Sequence, residues 1–101
     1  MKGTEKQIAW AEDIRMELIK NIESQALKFE TRKTNNDEDK KRAETMAQSY
    51  RGALETYINP SESKPERIAK RQEATWWIEN RDNHFNTVHN WAMKRFDKSC
   101  N

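Results

Sequence analysis

Apolar residues recur at steps of three and four along the first 30 positions, which predicts a long amphipathic helix. The stripe consists of Ile8, Ala11, Ile14, Leu18, Ile22, Ala26 and Phe29. Thr4 and Gln7 have the spacing of a capping box, in which each side chain bonds the backbone N–H of the other residue. We therefore expect the first helix to span residues 4–30.

A second stripe predicts another helix over residues 37–58, and it is weaker because several of its members are alanines. Its members are Ala43, Met46, Ala47, Tyr50, Ala53, Leu54, Tyr57 and Ile58. Asn36 or Asp37 can begin this helix, and Asn59 can end it, because a residue before proline disfavours the helical conformation. The polar segment of residues 31–36 is expected to be a loop.

The remainder of the chain predicts one or two further helices. Ser63 and Glu66 have capping-box spacing and Pro65 suits a first helical turn, so we expect a helix over residues 65–80. A short break at residues 81–83 would separate it from a helix over residues 84–98, and one continuous helix is the alternative. The prediction is an all-α fold: one domain over residues 1–101, built as a bundle of three to four helices.

We expect the core of this bundle to form from the larger apolar residues of all the helices. They are Trp10, Leu18, Ile22, Leu54, Ile68, Trp76, Val88 and Phe96. Trp76 and Trp77 are neighbours in a very polar chain, and adjacent helical positions point about 100° apart. Both indoles cannot occupy the middle of one buried face, so we expect Trp77 at the surface beside Arg81, where the two could bind a partner.

Basic residues recur on the helix just before the tryptophans, and they are Lys64, Arg67, Lys70 and Arg71. Together with an exposed Trp77 they could hold a phosphate backbone and stack a base. The other interpretation is a solvated face that is balanced by nearby acids, because such charge pairs are routine on exposed helices. Those acids are Glu62, Glu66 and Glu73, and a second basic cluster lies at residues 40–42.

The net charge is small, because 19 Lys and Arg residues face 17 Asp and Glu residues, which leaves +2. No strong overall field would therefore draw the chain onto nucleic acid or an anionic membrane. No apolar run approaches the roughly 18 residues that span a bilayer, so we expect no membrane contact. The single cysteine, Cys100, excludes an internal disulfide framework, and together these features predict a cytoplasmic protein.

Residues that could support catalysis do not form a recognised arrangement; they are Glu79, Asp82, His84, His89 and Cys100. The two histidines are five positions apart, which does not place them on one helical face as zinc ligands require. No glycine-rich phosphate loop is present, since the chain has only two glycines. We therefore expect no enzymatic activity, no metal and no cofactor.

Two segments carry a resemblance to a known group of proteins. Gly3–Arg15 and Trp76–Arg81 are similar to a pair of motifs shared by small, largely uncharacterised proteins of Gram-positive bacteria and their phages. The resemblance implies that Trp10 packs near the tryptophan pair and that residues 30–64 are the variable part. It also favours an accessory protein that binds a host machine, including inhibitors of defence nucleases.

Three hypotheses follow for the function. The first is a non-catalytic protein-binding module that presents Trp77 and Arg81 to a host protein, which could be a nuclease complex. The second is a nucleic-acid-binding module that uses the basic residues of the third helix with Trp77. The third is a helical homodimer in which the tryptophan face is only a self-interface.

Overall fold

The computed structural model describes the backbone of residues 1–100 and the side chains of residues 1–99. Cys100, one of the residues that could support catalysis, therefore has its side chain outside the described part. The predicted all-α fold is confirmed, with five helices in residues 1–100: α1 (Glu5–Glu30), α2 (Asp37–Ile58), α3 (Pro65–Arg71), α4 (Ala74–Glu79) and α5 (His84–Cys100). None of these helices has both the length and the apolar character that crossing a bilayer requires.

The first two helices begin where the capping signals predict. The Thr4 hydroxyl accepts a hydrogen bond from the Gln7 backbone N–H at 3.2 Å, and the Thr4 N–H donates to Gln7 Oε1 at 3.0 Å. The Asn36 side chain accepts from the Glu38 N–H at 2.9 Å, which satisfies one exposed donor at the start of α2. Local sequence chemistry therefore determines both helix starts.

The predicted helix over residues 65–80 is wrong, because the N-terminal segment interrupts it. The Lys2 N–H donates to the Gln72 carbonyl oxygen, and the Lys2 carbonyl oxygen accepts from the Ala74 N–H at 2.8 Å. These bonds form a parallel bridge between Lys2 and Glu73 and separate α3 from α4. The expected break at residues 81–83 is confirmed, so α4 and α5 are also separate helices.

The predicted capping box at the start of α3 is also wrong. Lys64 is the N-cap residue of this helix, and its side chain makes no capping hydrogen bond. The Ser63 hydroxyl instead lies 3.0 Å from the Ser61 hydroxyl, in the loop before the helix. Pro65 occupies the first turn as expected, where its missing N–H costs nothing.

The core forms where α2 packs against α1 and α5, and α4 packs against α1. The largest fully buried side chains are Ile22, Tyr50, Trp77, His84 and Val88. Of the predicted core residues, Leu18, Ile22, Leu54 and Val88 are buried, whereas Ile68, Trp76 and Phe96 are half-buried. Trp10 was expected inside, but it is 49% exposed.

Candidate interaction surface

The expected surface position of Trp77 is wrong, because this indole is completely buried. Its Nε1–H donates to the backbone carbonyl oxygen of Arg71 at 2.9 Å, which satisfies the one polar group of the ring. Trp76 lies against it in an edge-to-face arrangement, with ring centroids 5.1 Å apart. Trp77 is therefore a core residue, and it cannot stack on a base or contact a partner.

Both histidines have structural hydrogen bonds. His84 Nε2 lies 2.9 Å from the Trp77 carbonyl oxygen and His84 Nδ1 lies 2.6 Å from the Tyr57 hydroxyl. Since a carbonyl oxygen can only accept, Nε2 carries the proton and Nδ1 of the neutral ring accepts from Tyr57. His89 Nδ1 lies 2.6 Å from the Tyr50 hydroxyl. Each histidine thus joins α5 to a tyrosine of α2.

Burial changes the pKa values of the hydrogen-bonded pair His84 and Tyr57. It lowers the pKa of His84 and raises the pKa of Tyr57 to about 12, so both side chains stay uncharged at neutral pH. The positive charge of Arg71 also disfavours a protonated His84. A buried, neutral pair that bonds other parts of the fold stabilises the packing of α5 against α2 and α4.

The two arginines of α3 lie on aromatic rings. The guanidinium carbon of Arg71 is 4.2 Å from the ring centroid of Trp76 and 4.4 Å from that of Tyr57. Its Nε–H donates to the Tyr57 carbonyl oxygen at 2.6 Å. The guanidinium carbon of Arg67 is 5.1 Å from the ring of Trp91. These contacts hold both guanidinium groups in place by cation–π attraction.

The basic residues of α3 are not balanced by nearby acids, as one interpretation of the sequence expected. Lys64 and Lys70 are exposed, and Arg67 and Arg71 are half-buried. Among residues 1–99, the ion pairs closer than 4 Å are those of Arg51 with its acidic neighbours on α1, which are Glu23 and Glu30. The charges of Glu62, Glu66 and Glu73 therefore do not pair directly with α3.

An open groove lies between α1 and the turn that joins α4 to α5. Trp10 and Phe85, which are 49% and 36% exposed, line it. The guanidinium carbon of Arg81 is 5.4 Å from the Trp10 ring, and Arg81 Nη1 donates to the Ile78 carbonyl oxygen at 2.7 Å. The groove has a volume of about 330 Å³. We call this site the Trp10 groove; its remaining lining residues are Asp13, Ile14, Glu17, Leu18, Asn21 and His84.

The walls of the Trp10 groove differ in charge. Asp13 and Glu17 are one helical turn apart on α1, both are exposed, and neither has a basic partner within 4 Å in residues 1–99. Arg81 lies on the other side, with its guanidinium group over Trp10. The groove therefore combines apolar aromatic surface with two carboxylates that have no basic partner within 4 Å among residues 1–99.

Sequence reasoning identified Arg81 but missed Trp10 and Phe85 as surface residues. Trp10 lies outside the apolar stripe of α1 in the sequence, and a large side chain at the edge of such a stripe is often partly exposed. Phe85 precedes the buried Val88 by three positions in α5, a spacing that by itself predicts a place on the apolar face of this helix. The exposure of Phe85 depends on how the start of α5 packs against α1. No local sequence pattern determines that packing.

Residues 1–99 contain no cluster of three or more His, Cys, Asp or Glu side chains that could hold a metal ion. The fold and the Trp10 groove thus define a small helical protein with an open aromatic surface. No protein-family model, curated protein or solved structure matches this chain.

Proposed function

We propose that this chain is a non-catalytic protein-binding module that docks its partner in the Trp10 groove. The observation that carries the proposal is the exposure of Trp10 next to Phe85, beneath the Arg81 guanidinium group. Tryptophan and arginine dominate the binding energy of many protein interfaces, because each combines a large apolar surface with hydrogen-bond donors. Arg81 keeps the role that the sequence predicted, and Trp10 replaces Trp77.

The groove chemistry favours one kind of partner segment. An apolar side chain would cover Trp10 and Phe85, and this removes apolar surface from water. A neighbouring lysine or arginine would meet Asp13 and Glu17, neither of which has a basic partner within 4 Å among residues 1–99. The proposed partner is therefore a protein segment with an apolar anchor and a basic residue beside it.

The biological form that we propose is a cytoplasmic accessory protein of a phage or mobile element. Such a protein would bind and inhibit a host defence or nucleic-acid-processing protein, for which a nuclease complex is one candidate. This part rests on the resemblance of the two motifs. The first contains Trp10 and Asp13 and the second ends at Arg81, so residues from both motifs line the same groove.

Capture from nuclease-treated host lysate tests the proposal. Trp10→Ala should abolish capture of the partner, and Asp13→Lys should weaken it, because the acidic wall would become mixed in charge. Leu27→Ala is the matched control, since Leu27 is a 54% exposed apolar residue of the same helix outside the groove. Equal capture by the wild type and by Trp10→Ala would refute docking at Trp10.

Nucleic-acid binding is the second candidate function. It is favoured by the basic residues at α3, which have no acidic partner within 4 Å among residues 1–99, and it is weakened by the burial of Trp77. Binding to DNA or RNA should weaken steeply as salt rises, whereas docking of an apolar anchor in the Trp10 groove should persist. Loss of captured material after nuclease treatment would also favour this candidate.

A homodimer is the remaining proposal, with the Trp10 groove covered by a second copy of the chain. Size-exclusion chromatography with light scattering measures the mass directly. A dimer that Trp10→Ala converts to a monomer would show that the groove is a self-interface. A monomer at high micromolar concentration leaves the groove open for a different protein.

A further inference from the structure

Arg67 and Arg71 lie one helical turn apart on α3. Both guanidinium groups rest on one aromatic cluster, because Tyr57 contacts Trp91 and Trp76, with ring centroids 5.3 Å and 5.9 Å apart. Lys64 precedes Arg67 by three positions and is exposed. Three positive charges therefore follow one another at three- and four-residue steps, from the N-cap residue Lys64 to Arg71, the last residue of α3.

This concentration of charge has no counter-ion within the described chain. Neither arginine has an acidic partner within 4 Å among residues 1–99. Burial lowers the pKa of Arg71, the electrostatic interaction with Tyr57 opposes this shift, and the charge of Arg67 adds to it, so the two cations disfavour each other. Glu66 is the nearest acid in the sequence of α3, but it projects about 100° away from Arg67 on the helix. An anion that bridges the two arginines would relieve this repulsion.

The hydrogen-bond donors of the pair suit such an anion. Arg71 uses Nε–H for the Tyr57 carbonyl oxygen and retains its two terminal nitrogens. Arg67 has no hydrogen-bond partner through its side chain among residues 1–99, so its full fork can donate. Planar guanidinium forks match the oxygens of a phosphate group, and the aromatic rings below fix their orientation in advance.

We propose that Arg67 and Arg71 form a binding site for a phosphate group, either free or carried by a small organic molecule. An open pocket of about 300 Å³ adjoins Arg71. Its other lining residues are Ile58, Asn59, Pro60, Ile68 and Gln72. The apolar members of this set could cover the organic part of a phosphate ester, and the pocket volume lies at the lower end of ordinary ligand sites.

This phosphate site is independent of the Trp10 groove, because the two share no lining residue. Failure of either proposal can therefore be recognised separately. Trp10→Ala should leave phosphate binding unchanged, and Arg67→Gln should leave capture of a protein partner unchanged.

Titration of tryptophan fluorescence tests the site, since Trp76 and Trp91 lie against the two arginines. The probes are inorganic phosphate, adenosine monophosphate and adenosine, each at constant ionic strength set with chloride. Inorganic phosphate and adenosine monophosphate should both saturate the signal and compete with each other, whereas adenosine should not bind. If adenosine monophosphate binds more tightly than inorganic phosphate, its organic part contributes contacts in the pocket. If the two probes bind with equal affinity, the site recognises the phosphate group alone.

Arg67→Gln should weaken the binding of both phosphate probes by about tenfold or more, because it removes one fork and one charge. Lys41→Gln is the control, because it removes one exposed charge near the opposite end of α2, roughly 24 Å from Tyr57 at the helical rise. Arg71→Lys keeps the positive charge but loses the planar guanidinium group. Circular dichroism would verify that this variant still folds, because residue 71 is half-buried.

Several results would overturn the proposal. Absence of saturation at about 10 mM phosphate would do so, because any remaining affinity would be weaker than that of a specific site. Equal losses in Arg67→Gln and Lys41→Gln would show general charge attraction only. Binding of adenosine as tight as that of adenosine monophosphate would show that the phosphate group is not recognised.

Discussion

Trp77 donates its indole N–H to the backbone carbonyl oxygen of Arg71 at 2.9 Å, and this bond joins α4 to the last turn of α3. Trp77→Phe would remove the donor, leave that carbonyl oxygen without its partner and open space in the core. We expect it to lower the free energy of unfolding by about 1–3 kcal/mol. Urea unfolding followed by circular dichroism measures the loss, and an unchanged midpoint would contradict the buried hydrogen bond.

Trp10→Ala should lower the free energy of unfolding only slightly, even though it truncates a side chain as large as that of Trp77. Because Trp10 is 49% exposed, we expect a loss below about 1 kcal/mol, compared with about 3–5 kcal/mol for a tryptophan truncated inside a core. The same urea experiment measures it. A loss above about 2 kcal/mol would show that Trp10 packs in the interior.

Gly3→Ala should destabilise the junction between the N-terminal segment and α1. Gly3 has φ of 147°, a conformation that side-chain-bearing residues rarely adopt, and an added Cβ would lie 3.0 Å from Ala74 Cβ. We expect a loss of about 1–3 kcal/mol, measured by thermal or urea unfolding. An unchanged unfolding midpoint would contradict a backbone conformation at Gly3 that only glycine adopts readily.

The buried His84 should make the fold sensitive to mild acid. Since burial lowers the pKa of His84, the unfolded chain takes up a proton more readily, and stability falls as the pH drops below about 6.5. The slope would approach at most about 1.4 kcal/mol per pH unit for one proton. Urea unfolding between pH 7.5 and roughly 5 measures it.

His84→Gln is the matching variant for this pH dependence. It should be less stable at pH 7, because an amide cannot reproduce both the Tyr57 and the Trp77 hydrogen bonds in the same geometry. Its stability should change less with pH over the same window. The lowered pKa of Glu30, which arises mainly from its hydrogen bond to Arg51, acts only below about pH 4.5 and does not interfere. Parallel slopes for the two proteins would contradict the role of His84.

The long helices could be predicted because their determinants are local. Periodic apolar positions give α1 and α2 their buried faces, and Thr4 and Asn36 mark their starts. The end of α2 at Ile58 follows from the proline two positions later. These signals act within a few residues of each other, so the bounds of both helices can be predicted from the sequence alone.

The positions of the two tryptophans could not be predicted in this way. A continuous helix over residues 65–80 aligns Trp76 with Ile68 and Ala69 on one face. The bonds from Lys2 end α3 at Arg71 and begin α4 at Ala74, so the helical phase is reset and Trp77 turns inward with Ala74. The determinant lies some 70 positions away in the chain, beyond the reach of any local pattern.

The burial of Trp77 also changed which residues could serve as the binding site. Arg81 and the four basic residues of α3 were found from the sequence, because charged residues at helical spacing are visible there. Their aromatic companions were not, since Trp10 and Trp91 come from other helices. Pairing between helices depends on the packing of α1, α4 and α5, which only the folded chain provides.

The attachment of Lys2 to Gln72 and Ala74 has a practical consequence for work with this protein. An affinity tag fused before Met1 would emerge beside the joint between α3 and α4, and it would crowd the neighbouring Arg71. Deleting the first two residues would remove the Lys2 backbone groups that bond Gln72 and Ala74 between α3 and α4. Affinity tags and surface attachment should therefore avoid the N-terminal segment.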